Sequence, residues 1–279
     1  MSLDSVIEYY EKCHRDFVDF WRIDENLGFH LGFYDKHHKD HNEAVVNMNR
    51  VMAEIVGIKR GEKVLDIGCG IGGSLIWLAE NFEIKGVGIN IVKKQIEIAK
   101  QLVREYRLDS KIKFYLRNFY DTGFSQDSFD IVWGLESVCY AEDKKALLRE
   151  ISRILKRNGR LIITEAFKKE NISKKDQINL REKWLKNWAV PTIVKRAEFL
   201  KYLKELDFKD IKFFNITKNV EPSLRQLYLA SLYAYPIIRS LELFGLREEI
   251  RRKNVLGSYY QYKFLKRGLW EYVIIYASK

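Results

Sequence analysis

The sequence predicts an α/β fold in which a mostly parallel sheet carries helices on both faces, and three observations predict it. Short apolar, β-branched runs alternate with amphipathic segments of helical period over residues 64–166. A glycine-rich turn, Gly68-Cys69-Gly70-Ile71-Gly72-Gly73, joins the first run to a helix, so its backbone can approach a small molecule closely. Polar residues stand at or just past the ends of successive runs, Asp66, Asn90, Asn118 and Glu136, on the rim where such sheets bind ligands.

Composition bounds the reading. At 279 residues the chain suits one core with elaborations, and 47% hydrophobic residues supply that core. Asp4 and Glu8 interrupt any apolar leader at the start. The longest uncharged window, Gln226 to Ile238, is about 13 residues and too short to span a bilayer, so a soluble protein is expected. Cys13, Cys69 and Cys139 show neither pairing nor C-x-x-C spacing, which favours a reducing, cytoplasmic setting. The net charge of +11 favours anionic partners at long range, although no run is dense enough to mark a binding tail and a solvated lysine-rich surface explains it as well.

Taken in order, Val6, Tyr10, Cys13, Phe17 and Trp21 recur at helical spacing and predict a helix over residues 3–22. The aromatic, glycine-punctuated stretch Leu27 to Asp35 reads as a loop, either a lid that brings Tyr34 to the reacting group or a set of rings packed on the preceding helix. His37 and His41 stand one helical turn apart, but Lys36 and Lys39 among them oppose a cation, and no metal site is expected. A helix over 43–56 follows, then strands at 64–67, 86–90, 112–116, 129–133 and 161–166, separated by helices at 74–81, 92–106 and 143–155. A helix at 195–206 and strands at 209–217 and 270–277 complete a seven-stranded, Rossmann-like sheet. Residues 1–46 are expected to form an N-terminal helical cap, and 47–279 the core. Insertions at about 168–192 and 221–266 would fold as helices walling a substrate chamber, with Tyr228, Leu232, Tyr235, Tyr259 and Tyr262 as candidate walls or, alternatively, as a dimer contact.

The turn also satisfies the dinucleotide pattern G-x-G-x-x-G. Asp66 decides between the readings, because a carboxylate beside the helix N-terminus repels a pyrophosphate and suits a phosphate-free, cationic ligand. S-adenosylmethionine, with its sulfonium and α-ammonium, fits. The run Asp66-Ile67-Gly68-Cys69-Gly70-Ile71-Gly72 resembles the glycine loop of class I S-adenosylmethionine-dependent methyltransferases, and Asp66, Gly68, Gly70 and Gly72 are the cofactor-binding residues that the resemblance implies. The run Gly88 to Gln95 is similar to sterol and tocopherol methyltransferases, in which an uncharged polar residue and a downstream glutamine, here Asn90 and Gln95, replace the usual ribose-binding acid. Leu116 to Phe124 resembles geranyl diphosphate C-methyltransferases, which implies Asn118 as acceptor of the adenine amino group and Phe119 as a stacking ring. Glu136-Ser137-Val138-Cys139-Tyr140-Ala141 resembles the segment that reads E-x-x-C-H-A in sterol, E-S in tocopherol and E-S-x-x-Y in geranyl diphosphate methyltransferases, and Tyr140 here excludes a histidine base.

The resemblance implies methyl transfer to a small, largely apolar acceptor, with C-methylation of an isoprenoid or lipid-like molecule first and N- or O-methylation of an amine or phenol as the alternative. Glu136, Tyr140 and Tyr34 are the candidate catalytic residues: they would stabilise a carbocation through charge and aromatic faces, or Glu136 would deprotonate or orient the acceptor. Holding the cofactor or the loop is the other role open to Glu136. Magnesium is expected only if the acceptor is a diphosphate, with Arg225 as a cationic contact. A nucleic-acid methyltransferase and a non-catalytic cofactor-binding protein are the rival classes; the first is disfavoured by a tyrosine- and leucine-rich insertion, the second by the intact glycine loop. The composition is compatible with a homodimer and with peripheral lipid contact.

Overall fold

The computed structural model describes residues 3–170 and 172–279. Seven strands form one sheet: β1 (Lys63–Ile67), β2 (Lys85–Asn90), β3 (Ile112–Leu116), β4 (Phe129–Gly134), β5 (Leu155–Lys168), β6 (Lys209–Asn215) and β7 (Trp270–Ser278), in the order β3-β2-β1-β4-β5-β7-β6. The first five run parallel, and β7 inserts antiparallel between β5 and β6. The order reverses beside β1, which opens a crevice beyond the carboxyl ends of β1, β2 and β4.

Eleven α-helices complete the described residues: α1 (Leu3–Lys12), α2 (His14–Trp21), α3 (Ile23–Asn26), α4 (His41–Val56), α5 (Gly73–Phe82), α6 (Lys93–Glu105), α7 (Lys144–Ile154), α8 (Lys175–Asn187), α9 (Arg196–Glu205), α10 (Thr217–Leu243) and α11 (Glu249–Lys266). Alternation along β1 sends Leu65 and Ile67 into a core shared with α7 and α9, and Val64 into a second core with α4, α5 and the N-terminal helices. The caps follow local chemistry: Asp40 accepts from Asn42 and Glu43 at the start of α4, and Asp143 from Ala146 at the start of α7.

Two elements differ from the sequence reading. The helix expected over 3–22 divides at Cys13 into α1 and α2. The stop signal Asn158-Gly159 lies inside β5 as a bulge, because Phe129 pairs with Leu155 while Ile131 pairs with Arg160, and Asn158 takes a φ of 63°. Val6, Phe17 and Trp21 of the N-terminal helices share one core with Met48 and Trp270.

Late in the chain, α10 and α11 form an antiparallel hairpin, and α11 lies against α8. Gly257 allows that approach, since a Cβ there would stand 2.1 Å from the ring of Trp188, whose Nε1 donates to the Asn254 carbonyl at 3.0 Å.

Candidate functional site

The turn after β1 forms the floor of a crevice with about 570 Å³ of free space. Gly68, Gly70 and Gly72 have φ of 78°, 53° and 87°, and a Cβ at Gly68 would stand 2.4 Å from that of Ser137, so the turn depends on glycine. Ile89, Asn90, Val92, Gln95 and Phe119 form one wall, Leu135 and Glu136 another, and Val6, Tyr10 and Phe29 close it from the N-terminal side.

Asp66 lies in an adjoining recess with Phe29, His30, Ser74 and Leu135. Its carboxyl is buried and has no hydrogen-bond partner among the described residues; burial alone pushes its pKa up to about 8. Asn90 donates to Gln95 Oε1 at 2.6 Å and accepts from the Val92 amide at 3.2 Å, which leaves the buried Gln95 Nε2 without a partner. Asn118 is not on the crevice wall: its side-chain oxygen accepts from the Tyr120 amide at 3.0 Å, and its neighbour Phe119 supplies the lining.

Glu136 sits just past β4 at a φ of 54°. Its Oε1 accepts from the Leu31 amide at 2.8 Å and from the Tyr272 hydroxyl at 2.6 Å, while its own amide donates to Thr164 Oγ1 at 2.9 Å. Oε2 has no hydrogen-bond partner among the described residues. Burial pushes the carboxyl up to about 7, against the lowering effect of the Tyr272 hydroxyl and the Leu31 amide.

Behind Glu136 lies a second cavity. Tyr10, Phe29, Glu136 and Tyr140 line both cavities and stand between them, and the Tyr10 hydroxyl donates to that of Tyr140 at 3.0 Å. The inner walls are mostly aromatic and apolar, including Tyr9, Phe17, Trp21, Trp184, Trp188 and Tyr272. Glu165 is part of the lining, and its Oε2 is 3.1 Å from Lys144 Nζ in an ion pair at most 1% exposed. Among the described residues the lining contains no lysine, arginine or histidine, and two of its buried polar atoms, Trp184 Nε1 and Gln261 Oε1, have no partner.

Several expected residues stand elsewhere. Tyr34 lines neither cavity: its amide donates to the Asn219 carbonyl at 3.0 Å, and its hydroxyl lies 3.3 Å from His41 Nδ1 and from Gln226 Oε1, so the loop tip is fixed to α10. Tyr228, Tyr259 and Tyr262 pack on one another in the α10–α11 hairpin, and Leu232, Tyr235 and Arg225 face solvent. Of that insertion only Gln261 reaches the inner chamber, whose walls come instead from α1, α2, α8 and the sheet. Tyr10, Thr164, Glu165, Trp184 and Tyr272 join the site without a motif in the sequence that marks them for it. Tyr10 and Trp184 were visible as aromatics in their segments, but nothing local marks Tyr272, which an antiparallel strand from the end of the chain brings to Glu136.

Comparison with known proteins decides the family: residues 58–217 match the methyltransferase domain. The chain belongs to that family. Its sheet and glycine turn are those of the class I S-adenosylmethionine-dependent methyltransferases. Methyltransferase GfsG of Streptomyces halstedii is 34% identical over 123 residues, 44% of each chain. Tocopherol O-methyltransferase of Arabidopsis thaliana is 27% identical over 78% of this chain and 66% of its own, and ajmaline N-methyltransferase of Rauvolfia serpentina 25% identical over 79% and 77%. The chain thus matches less than two thirds of the length of the first two. Among solved structures, the [4+2]-cyclase SpnF superposes with a TM-score of 0.81 at 19% identity, covering 98% of this chain and 94% of that one. Geranyl diphosphate C-methyltransferase from Streptomyces coelicolor A3(2) gives 0.70 at 18% identity, covering 97% of each. At such identities these structures show a shared fold, and that one is titled a cyclase leaves the chemistry to be argued from the site.

Proposed function

We propose that this protein transfers the methyl group of S-adenosylmethionine to a small, largely apolar acceptor that carries no phosphate. The carrying observation is the pair of cavities that meet at Tyr10, Phe29, Glu136 and Tyr140. A cofactor in the outer crevice and an acceptor in the inner chamber would face each other there.

The residues fit that cofactor. The partnerless carboxyl of Asp66 suits an α-ammonium, the unpaired Gln95 Nε2 with Asn90 suits ribose hydroxyls, and the apolar ring of Phe119 suits adenine. Bound there, S-adenosylmethionine supplies an electrophilic methyl carbon on a sulfonium. What the chain itself contributes is position and dryness. The aromatic walls exclude water and hold an acceptor in line, and their faces attract positive charge that develops on it.

Glu136 receives the proton that the acceptor loses, through Oε2. A carboxyl near 7 is suited to that exchange at neutral pH, whether the proton leaves carbon, nitrogen or oxygen. The unpaired Trp184 Nε1 and Gln261 Oε1 suit an acceptor with a hydroxyl, carbonyl or amine rather than a pure hydrocarbon. A magnesium diphosphate does not fit: the chamber presents Glu136 and Glu165 and no cationic lining residue, and no group of three His, Cys, Asp or Glu that could hold a metal ion occurs among the described residues.

Incubation with methyl-labelled cofactor and a panel of phenols, amines, sterol-like lipids and prenyl diphosphates tests the reading. Label transfer to a phosphate-free apolar acceptor is expected, and loss of that transfer in Glu136→Gln with cofactor binding intact. Transfer to diphosphates alone, or to none of the panel, contradicts it.

A further inference from the structure

The outer face of α10 is apolar and uncovered. Leu229, Leu232, Tyr233, Ile237, Leu243 and Phe244 recur at helical spacing along one stripe, with Tyr233 77% and Phe244 80% exposed. Eight of the fourteen exposed large apolar side chains among the described residues fall within 229–246, so the exposure is concentrated rather than scattered. The opposite side of α10, through Leu227, Ala230 and Ser231, closes on α11 in the ordinary way.

Charge says what covers the stripe. Residues 217–267 contain ten lysines or arginines against four glutamates, a net of +6 out of +11 for the whole chain. Arg225 and Arg247 flank the stripe at its two ends, and Glu242, the acid nearest it, is turned to Arg239 and Arg252 at 2.9 and 2.7 Å. A second copy meeting this face would bring like charge against like charge. An anionic surface that is apolar beneath would satisfy both features.

We infer that the α10–α11 hairpin docks on anionic lipid, the stripe entering the acyl boundary and the arginines contacting headgroups. The seam between α10 and α11, lined by Leu227, Ser231, Asn254 and Ser258, ends at Trp21, which is also a wall of the inner chamber. The docking stands without the catalytic reading.

Co-sedimentation of the whole protein with phosphatidylcholine vesicles, with and without phosphatidylserine, tests the inference. Binding is expected to the anionic vesicles, weakened by salt. It should weaken about tenfold or more in Ile237→Ser/Phe244→Ser, which removes two large apolar groups, and severalfold in Arg225→Glu/Arg247→Glu. Calorimetric binding of S-adenosylhomocysteine should be unchanged in both variants, which separates docking from folding and from the cofactor site. Absence of sedimentation with either vesicle overturns the inference. So does a vesicle-independent dimer, by sedimentation velocity, that the Ile237→Ser/Phe244→Ser change dissociates, since the stripe would then be covered by a second copy.

Discussion

If Asp66 receives the cofactor's α-ammonium, cofactor affinity must depend on pH in a way fixed by that residue. Burial holds the free carboxyl near 8, so the cofactor-free protein is mostly protonated there at neutral pH. A cation bound beside it favours the charged form, and binding therefore expels a proton. With a pKa of about 8, roughly one carboxyl in a hundred is ionised at pH 6 and one in two at pH 8. Affinity for S-adenosylhomocysteine should then rise about fiftyfold between those values, about 2.3 kcal/mol, with about 0.9 proton released per cofactor at pH 7. Calorimetric titration across pH, in buffers of different ionisation enthalpy, reads both quantities. Asp66→Asn should flatten the slope and weaken binding at pH 8 by about tenfold to a hundredfold, the worth of a hydrogen bond to a charged group. A flat profile in the native protein, or the same slope in Asp66→Asn, would refute the assignment.

Four further outcomes follow from particular contacts. Tyr272→Phe removes a 2.6 Å hydrogen bond to Glu136 worth about 1.5–3 kcal/mol when the carboxylate is charged, so the acidic limb of the methyl-transfer pH profile should move up by about one to two units from near 7, with cofactor affinity unchanged. Asp66 and Glu136 both have folded pKa values raised above their unfolded ones, to about 8 and 7, so the stability they give the cofactor-free protein is complete below about pH 4 and is lost as pH rises through 7 and 8; thermal unfolding across that window should show the loss. Gly68→Ala forces a Cβ to 2.4 Å from Ser137 at a φ of 78° and should cost about 1–3 kcal/mol in denaturant unfolding while abolishing S-adenosylhomocysteine binding. Lys144→Met strands Glu165 in the chamber wall and should cost about 3–5 kcal/mol, largely recovered in Lys144→Met/Glu165→Gln.

The parallel half of the sheet is legible in the sequence because β1, β2 and β4 each give a local signal: an apolar run, a polar residue at or near its carboxyl end, then a helix with its own periodicity. Asp66, Gly68, Asn90, Gln95 and Glu136 come to one rim for that reason, since topology alone places strand ends together. What could not be read is whatever depends on packing between distant segments. Tyr34 looked like a lid residue from its aromatic loop, but its contacts with Asn219 and Gln226 of α10 hold it away from the crevice. The tyrosines of the insertion read as chamber walls because the segment is apolar; Tyr228, Tyr259 and Tyr262 instead pack within the α10–α11 hairpin, and Tyr235 faces solvent. The chamber draws on Tyr9 and Tyr10 at one end of the chain and Tyr272 at the other, a juxtaposition without any local signature.

The most direct test of the account is a crystal structure with S-adenosylhomocysteine bound. Its amino group is expected against Asp66, its ribose beside Asn90 and Gln95, and its sulfur turned toward Tyr10, Phe29, Glu136 and Tyr140, the side chains that line both cavities. A sulfur turned away from those four side chains, or a cofactor bound with Asp66 uncontacted, would contradict it.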